Sequence, residues 1–174
     1  QRQMCIRDSH IVHVINDAHA ALMGEVWQGS AKCLSDVIMI TLGTGVGGAV
    51  MSHGKLLKGS IGRAGHLGHM SVNFEGAPDI CSTPGSIEDA IGNATILKRS
   101  NSRFKTTHDL IDAYASGDNY ASEIWMESLR ALAAALVSLI NVLDPERIVI
   151  GGGIATKNLF DQCYGKYAIA AVNV

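Results

Sequence analysis

An apolar run ending in Leu42-Gly43-Thr44-Gly45-Val46-Gly47-Gly48 offers a ligand backbone in place of side chains. Two glycines around a threonine at a strand end let amide N–H groups crowd round a phosphate, with the hydroxyl as a further donor, because no Cβ blocks the approach. The same segment serves equally as a β-hairpin turn with a bulge. It is not a Walker loop, which requires GxxxxGK[ST], nor a GxGxxG opening a helix, since a strand follows it. A second run, Ile148-Val149-Ile150, ends in Gly151-Gly152-Gly153. Such a turn presents a flat backbone surface to a planar ring such as adenine, or lets a helix pack closely on a sheet. Ligands in open sheets collect at strand ends, so two glycine turns in one chain say more than either alone.

Acid–base chemistry has fewer places to sit. Asn16-Asp17 falls at the junction of a predicted strand and a predicted helix, where an aspartate is either an N-cap or a general base that takes the proton of a hydroxyl attacking a phosphoryl group. Arg63-Ala64-Gly65-His66-Leu67-Gly68-His69-Met70 carries two histidines three residues apart, with Cys81 and Glu88 downstream. Those histidines fit metal ligands, partners for sugar hydroxyls or ordinary loop residues. A structural zinc site almost always takes four Cys or His ligands, and a single nearby cysteine argues against one. The four cysteines, Cys5, Cys33, Cys81 and Cys163, lie far apart with no CxxC pair, which argues against a disulfide framework and fits a reducing cytoplasm.

The elements that must hold these residues follow from periodicity and punctuation. Gln1 to Ser9 shows no apolar period and is expected to be a foreign or unstructured leader. His10 to Ile15 alternates as a strand, and Ala18 to Gln28 reads as a helix stopped by Gly29. Asp36 to Leu42 is a buried strand, Val46 to Ser52 a second, and His53-Gly54 turns the chain into a short third, Lys55 to Leu57. Gly59 to Pro84 is too long for an ordinary connector and is a candidate functional loop. Ser86 caps a helix, Thr107 to Gly117 bounds another, and Tyr120 to Val142 is a long one stopped by Asp144-Pro145. Glu146 to Ile150 is a strand, and Ile154 onward restarts as a helix. The order predicts an α/β domain with a mixed sheet.

Composition removes several classes. With 174 residues, 47% hydrophobic, and 14 basic against 16 acidic side chains for a net charge of −2, the chain has material for a core and no basic excess pointing to nucleic acid or an anionic membrane. The longest nearly uninterrupted apolar run, Ala131 to Leu143, carries Ser138 and Asn141 inside it and falls short of the roughly 18 residues of a membrane helix.

Taken in order, VINDAHAALMGE, ITLGTGVGGAVMSHGKLLKGSIGRAGHLGHMSV, PGSIEDAIG and LDPERIVIGGGIA resemble the ROK family (repressor, open reading frame, kinase) of bacterial sugar kinases, over roughly Val12 to Ala155. The resemblance implies an α/β fold of the actin-like ATPase (ribonuclease H-like) type, mostly the large C-terminal domain of a two-domain kinase. On that reading residues 10–30 are a remnant of the small domain carrying the catalytic Asp, and residues 31–174 are the large ATP- and sugar-binding domain, incomplete at its end. It implies a glucokinase-like enzyme that phosphorylates a hexose or related sugar with ATP and Mg2+, with homodimer formation possible. Asp17 matches the catalytic base, and Asn16, His69 and Glu88 match sugar-binding positions. Gly43, Thr44 and Gly45 match a phosphate loop, and Gly151, Gly152 and Gly153 the adenosine-binding turn. Family members also include sugar-responsive transcriptional regulators with an N-terminal helix-turn-helix, and a non-catalytic sugar-binding module is a third expectation.

Departures from the family pattern sharpen these expectations. His66 stands where the ExGH motif has glutamate, and Asp79-Ile80-Cys81-Ser82-Thr83-Pro84-Gly85-Ser86-Ile87-Glu88 keeps one of the three cysteines of CxCGxxGCxE, so zinc is not expected. The N-terminal DxGxT loop has no match, and the chain is expected to be a fragment. If His66 reads a sugar hydroxyl, His66→Glu exchanges a possible donor for an obligate acceptor. It is then expected to re-rank epimeric hexoses by kcat/KM by about 1–3 kcal/mol while leaving ATP affinity in place. A uniform loss across a sugar panel would instead assign His66 to packing.

Overall fold

Residues 14–155, together with the backbone of residues 169–171, are described by a computed structural model. A five-stranded mixed sheet runs in the order β3-β2-β1-β4-β5. β1 (Val37–Leu42) pairs antiparallel with β2 (Val46–Ser52) and parallel with β4 (Arg147–Gly151). β3 (Lys55–Leu56) extends β2 antiparallel at one edge, and β5 (Ile169–Ala171) extends β4 parallel at the other.

Strict alternation along β1 sorts its side chains into two cores. Ile38, Ile40 and Leu42 join Val46, Val50, Ile148 and Ile150 against α5 (Asn119–Leu143), whereas Val37 and Met39 join Ala49, Met51 and Val149 against α1 (Asp17–Gln28). A strand covered on both faces reads as a continuous apolar run, which is what VIMITL is. α5 buries a stripe through Ala121, Ile124, Trp125, Ser128, Leu132, Ala135, Leu136 and Leu139, the i, i+3, i+4, i+7 spacing of one helix face. By length and composition this helix also meets the test for crossing a bilayer, but the stripe marks it as a core helix. Asp118 caps its start by accepting from the Ala121 amide, and Asp144, left-handed at φ 42°, ends it before Pro145.

Shorter elements complete the lobe. Ser86 caps α2 (Ile87–Ile91), a 3-10 turn at Asn93–Thr95 leads into α3 (Ile96–Arg99), and Thr106 with Asp109 forms a reciprocal capping box on α4 (Thr107–Ala115). The β2–β3 turn has positive φ at both His53 (51°) and Gly54 (71°), the two-residue geometry that suits the twist of a hairpin.

Three expectations change. The predicted strand His10 to Ile15 does not extend into Val14 and Ile15, which are exposed and outside any element; His10 to His13 lie outside the described residues. Alternation alone cannot make a strand without a partner edge. Ile154 and Ala155 form a turn and not a helix start, because the Ile154 amide is tied back to the Leu42 carbonyl at 3.0 Å; the remainder of that predicted helix lies outside the described residues. α3 and β5 are elements that the sequence pattern does not predict.

Gly152 closes this arrangement, with φ +95°, and a Cβ on it would stand only 2.3 Å from the Leu42 carbonyl oxygen. Gly152→Ala combines left-handed strain with a backbone clash, and is expected to cost at least about 1–3 kcal/mol, measured as a lowered urea midpoint. An unchanged midpoint would show that the two strand ends can separate at no cost.

Candidate active site

Both glycine turns hang from the same end of the sheet, because β1 and β4 are parallel neighbours that finish together, with Thr41 opposite Gly151. Between them opens a cavity of about 420 Å³ lined by Asp17, Thr41, Leu42, Gly43, Thr44, Gly45, Val46, Gly47, Glu88 and Gly152. Within the first turn Gly43 donates its amide to the Gly45 carbonyl at 3.0 Å. The amides of Thr44 and Gly45 have no internal partner among the described residues. A Cβ at Gly43 would meet no described atom within 4 Å. The turn therefore has the free donors and the open approach that a phosphate requires.

Asp17 reaches this cavity through close packing behind it. Asn16 caps α1 by accepting from the His19 amide at 3.2 Å, so Asp17 is the first helical residue, exposed, with Oδ1 accepting from the Ala18 amide at 2.8 Å. The capping role that the sequence leaves open for Asp17 belongs to its neighbour. At Gly47 a Cβ would sit 2.4 Å from Thr41 Oγ1 and 3.4 Å from the Ala18 methyl; glycine there lets the start of α1 lie down on β2.

Glu88 supports the turn from α2. Its Oε2 accepts from the Val46 amide at 3.0 Å, and a Cβ at Gly45 would lie 2.4 Å from that same oxygen. Carbonyls of the turn are held as well: Gly43 accepts from the Asn93 amide at 2.9 Å and Thr44 from the Ala94 amide at 2.8 Å.

The histidine loop docks on β2 through interlocking glycines. A Cβ at Gly68 would strike the Val46 carbonyl at 2.0 Å, and one at Gly48 would strike Leu67 at 2.5 Å. His69 then meets Asp79, Nδ1 to Oδ2 at 2.7 Å, and its Nε2 faces Cys81 Sγ at 3.5 Å. The Asp79 carboxylate, with its side chain 1% exposed, also accepts from the amides of Cys81 (2.8 Å) and Thr83 (2.9 Å) and from the Ser86 side chain. Burial pushes this carboxyl upward, but the bonds from His69, Thr83, Ser86 and Cys81 outweigh it and hold it well below the usual range.

His69, Asp79 and Cys81 offer ligand atoms within 4.8 Å of one another, the one such trio among the described residues. A carboxylate has about four acceptor positions, and four donors already occupy those of Asp79. A closed zinc site takes four ligands, and Ser86, at the place of the third motif cysteine, spends its hydroxyl on Asp79. The residues do not fit zinc.

Of the residues singled out from sequence, Asp17, Gly43, Thr44, Gly45, Glu88 and Gly152 share the cavity wall. Asn16, His66, His69, Gly151 and Gly153 are not part of that wall; His66 is exposed, at the start of the 3-10 turn Leu67–His69 with no side-chain cap bond. Thr41, Gly47, Asn93 and Ala94 were missed. Alternation along β1 places Thr41 on the α1 face, a signal that was there to be read, whereas the Asn93 and Ala94 amides leave no trace in residue type.

Paired strand ends, a turn with free amides and a carboxylate at a helix start come together here on a lobe of the actin-like ATPase fold. The chain belongs to the ROK family, whose model matches residues 8–170. It is 34% identical over 171 residues to a glucokinase of Thermotoga maritima, covering 88% of this chain and 54% of that protein. It is 38% identical over 145 residues to an N-acetylmannosamine kinase of Vibrio cholerae, covering 82% and 50%. A ROK family glucokinase from Streptomyces griseus, solved with glucose and AMPPNP, superposes with a TM-score of 0.76 at 26% identity, covering 91% of this chain and 62% of that one. The chain spans about half the length of the curated relatives it matches.

Proposed function

We propose that the protein carrying this chain transfers the γ-phosphoryl group of ATP to a hydroxyl of a hexose or related sugar. The observation that carries the reading is the shared cavity, on which the Asp17 carboxylate and the Gly43–Gly45 turn both open. The sugar hydroxyl gives its proton to Asp17 as its oxygen attacks the γ-phosphorus, the bond from that phosphorus to the bridging oxygen breaks, and ADP leaves. Mg2+ bound to ATP would supply charge neutralisation on the transferring group. Free amides of Thr44 and Gly45 receive phosphate oxygens, and the Gly151–Gly153 turn faces the adenosine. Asn16, whose Oδ1 is spent on the helix cap, retains its NH2 for a sugar hydroxyl. Glu88 holds Val46 through one carboxylate oxygen and offers the other to the sugar, and His69, oriented by Asp79, is the further sugar-hydroxyl partner that the family resemblance implies. Most of the rate comes from positioning and electrostatics, since the protein forms no covalent bond in this chemistry. The kinases named among the relatives support this reading over a regulator.

Asp17→Asn preserves shape and removes the base. In the full-length protein it is expected to lower kcat by at least about 10²-fold with little change in KM for ATP, measured by coupled ADP release across a sugar panel. Unchanged turnover would take Asp17 out of the chemistry. Metal analysis of the purified protein is expected to find zinc well below one per chain, since a saturated Asp79 and a lone thiolate leave no closed tetrahedral site. One chelation-resistant zinc per chain would mean that the Asp79 network opens to admit it.

A further inference from the structure

Arg99, at the end of α3, belongs to none of the motifs above. It lines a different cavity, of about 540 Å³, bounded by α2, α3 and α5. Its guanidinium forms no ion pair with a carboxylate among the described residues. Instead it reaches three neutral oxygens: Nε donates to Thr95 Oγ1 at 3.2 Å, Nη1 to Ser128 Oγ at 2.8 Å and Nη2 to the Gly92 carbonyl at 3.2 Å. Ser128 is buried in α5 and donates its own hydroxyl hydrogen bond to the Ile124 carbonyl at 3.0 Å. Thr95 lies in donating reach of the carbonyls of Asp89 (2.9 Å) and Gly92 (3.1 Å). Burial pushes the guanidinium down to about 10, with Glu127 and Asp89 near enough to oppose the shift, so it stays charged at neutral pH.

Two of the three Arg99 bonds, to Thr95 and Gly92, fall on residues 92 to 95, the turn whose Asn93 and Ala94 amides hold the carbonyls of Gly43 and Thr44, and the third ties that turn to α5. A Cβ on Gly92 would stand 3.1 Å from the Thr44 carbonyl oxygen and 3.5 Å from Gly45 Cα, so the two turns are in van der Waals contact as well as bonded. A planar fork of fixed donors can bridge three acceptors on separate segments, whereas a lysine ammonium on a flexible stem cannot hold that geometry. We propose that Arg99 is a positioning residue for nucleotide binding: it anchors the Gly92–Thr95 turn to α5 and thereby fixes the Gly43–Gly45 turn where phosphate is received. The proposal rests on the reading of Gly43–Gly45 as the phosphate-binding element.

The test compares KM for ATP with KM for the sugar in the full-length protein. Arg99→Lys and Arg99→Met are expected to raise KM for ATP about 5- to 20-fold, the scale of one lost charged hydrogen bond transmitted to the site, with KM for the sugar within about twofold. Ser128→Ala removes one acceptor and leaves the guanidinium on Gly92 and Thr95; it is expected to move KM for ATP in the same direction by less, and serves if the Arg99 variants do not fold. Wild-type KM for ATP in Ser128→Ala and in whichever Arg99 variants fold, or equal losses for ATP and sugar, overturns the proposal. Gly45→Ala separates the two readings. If it leaves ATP binding intact the phosphate assignment itself fails, and if it weakens ATP binding while the Arg99 and Ser128 variants do not, only the role of Arg99 fails.

Discussion

The tight meeting of β1 and β4 at their C-terminal ends governs the rest of the lobe. Leu42 closes β1 with a carbonyl that accepts the Ile154 amide, and Gly152 passes so close to that carbonyl that no Cβ can intervene. Parallel strands do not need to end side by side, and a β4 one turn longer would carry its glycines away from those of β1. The left-handed conformation at Gly152 turns the chain back at the level of Leu42 and sets the second glycine turn beside the first. The cavity is a consequence of that registration.

Around this point the lobe uses backbone more than side chain to build its site. Gly47 admits the start of α1, Gly48 and Gly68 admit the histidine loop, and Gly45 admits the Glu88 carboxylate. Glycine in a strand normally costs stability through entropy and lost packing. Here three helical or loop segments approach within backbone distance of one hairpin, and the apolar alternation of β1 carries the packing that β2 gives up. Fixed amides and short helix ends also suit the phosphoryl transfer proposed above, in which orientation and charge stabilisation do most of the work.

Legibility of the sequence followed the same division. β1, β4 and α5 were readable because each is a run or stripe of apolar residues ending at or just before glycine or proline, and β2 because glycine turns mark both of its ends. Gly43–Gly45 and Gly151–Gly153 were readable as turns, and the resemblance carried Asp17 and Glu88 onto the site. What escaped was structure made by main-chain bonds between remote segments: α3 is four residues long, too short for a period, and nothing in Asn93-Ala94 announces that its amides meet Gly43 and Thr44. β5 escaped because three residues beside an existing strand need no alternation of their own. Val14-Ile15 misled in the opposite sense, offering strand-like residues that pair with no strand among the described residues.

Asp79 illustrates how a loop can be held once a closed zinc site no longer fits it. A zinc site holds its ligands by strong, directional bonds to one ion; here one enclosed carboxylate draws His69, Ser86 and the amides of Cys81 and Thr83 to a common centre. The enclosed charge makes each of those bonds stronger than a neutral one. An ionised carboxylate only accepts, so the bond to His69 fixes Nδ1 as the donor nitrogen. In the neutral ring Nε2 then carries the lone pair. A zinc ligand would have to give that lone pair to the metal, whereas His69 keeps it for the Cys81 thiol 3.5 Å away or for an arriving hydroxyl. Exchanging thiolates for Asp79 and Ser86 thus leaves the loop anchored and turns its histidine from a metal-bound group into a polar one with a determined tautomer.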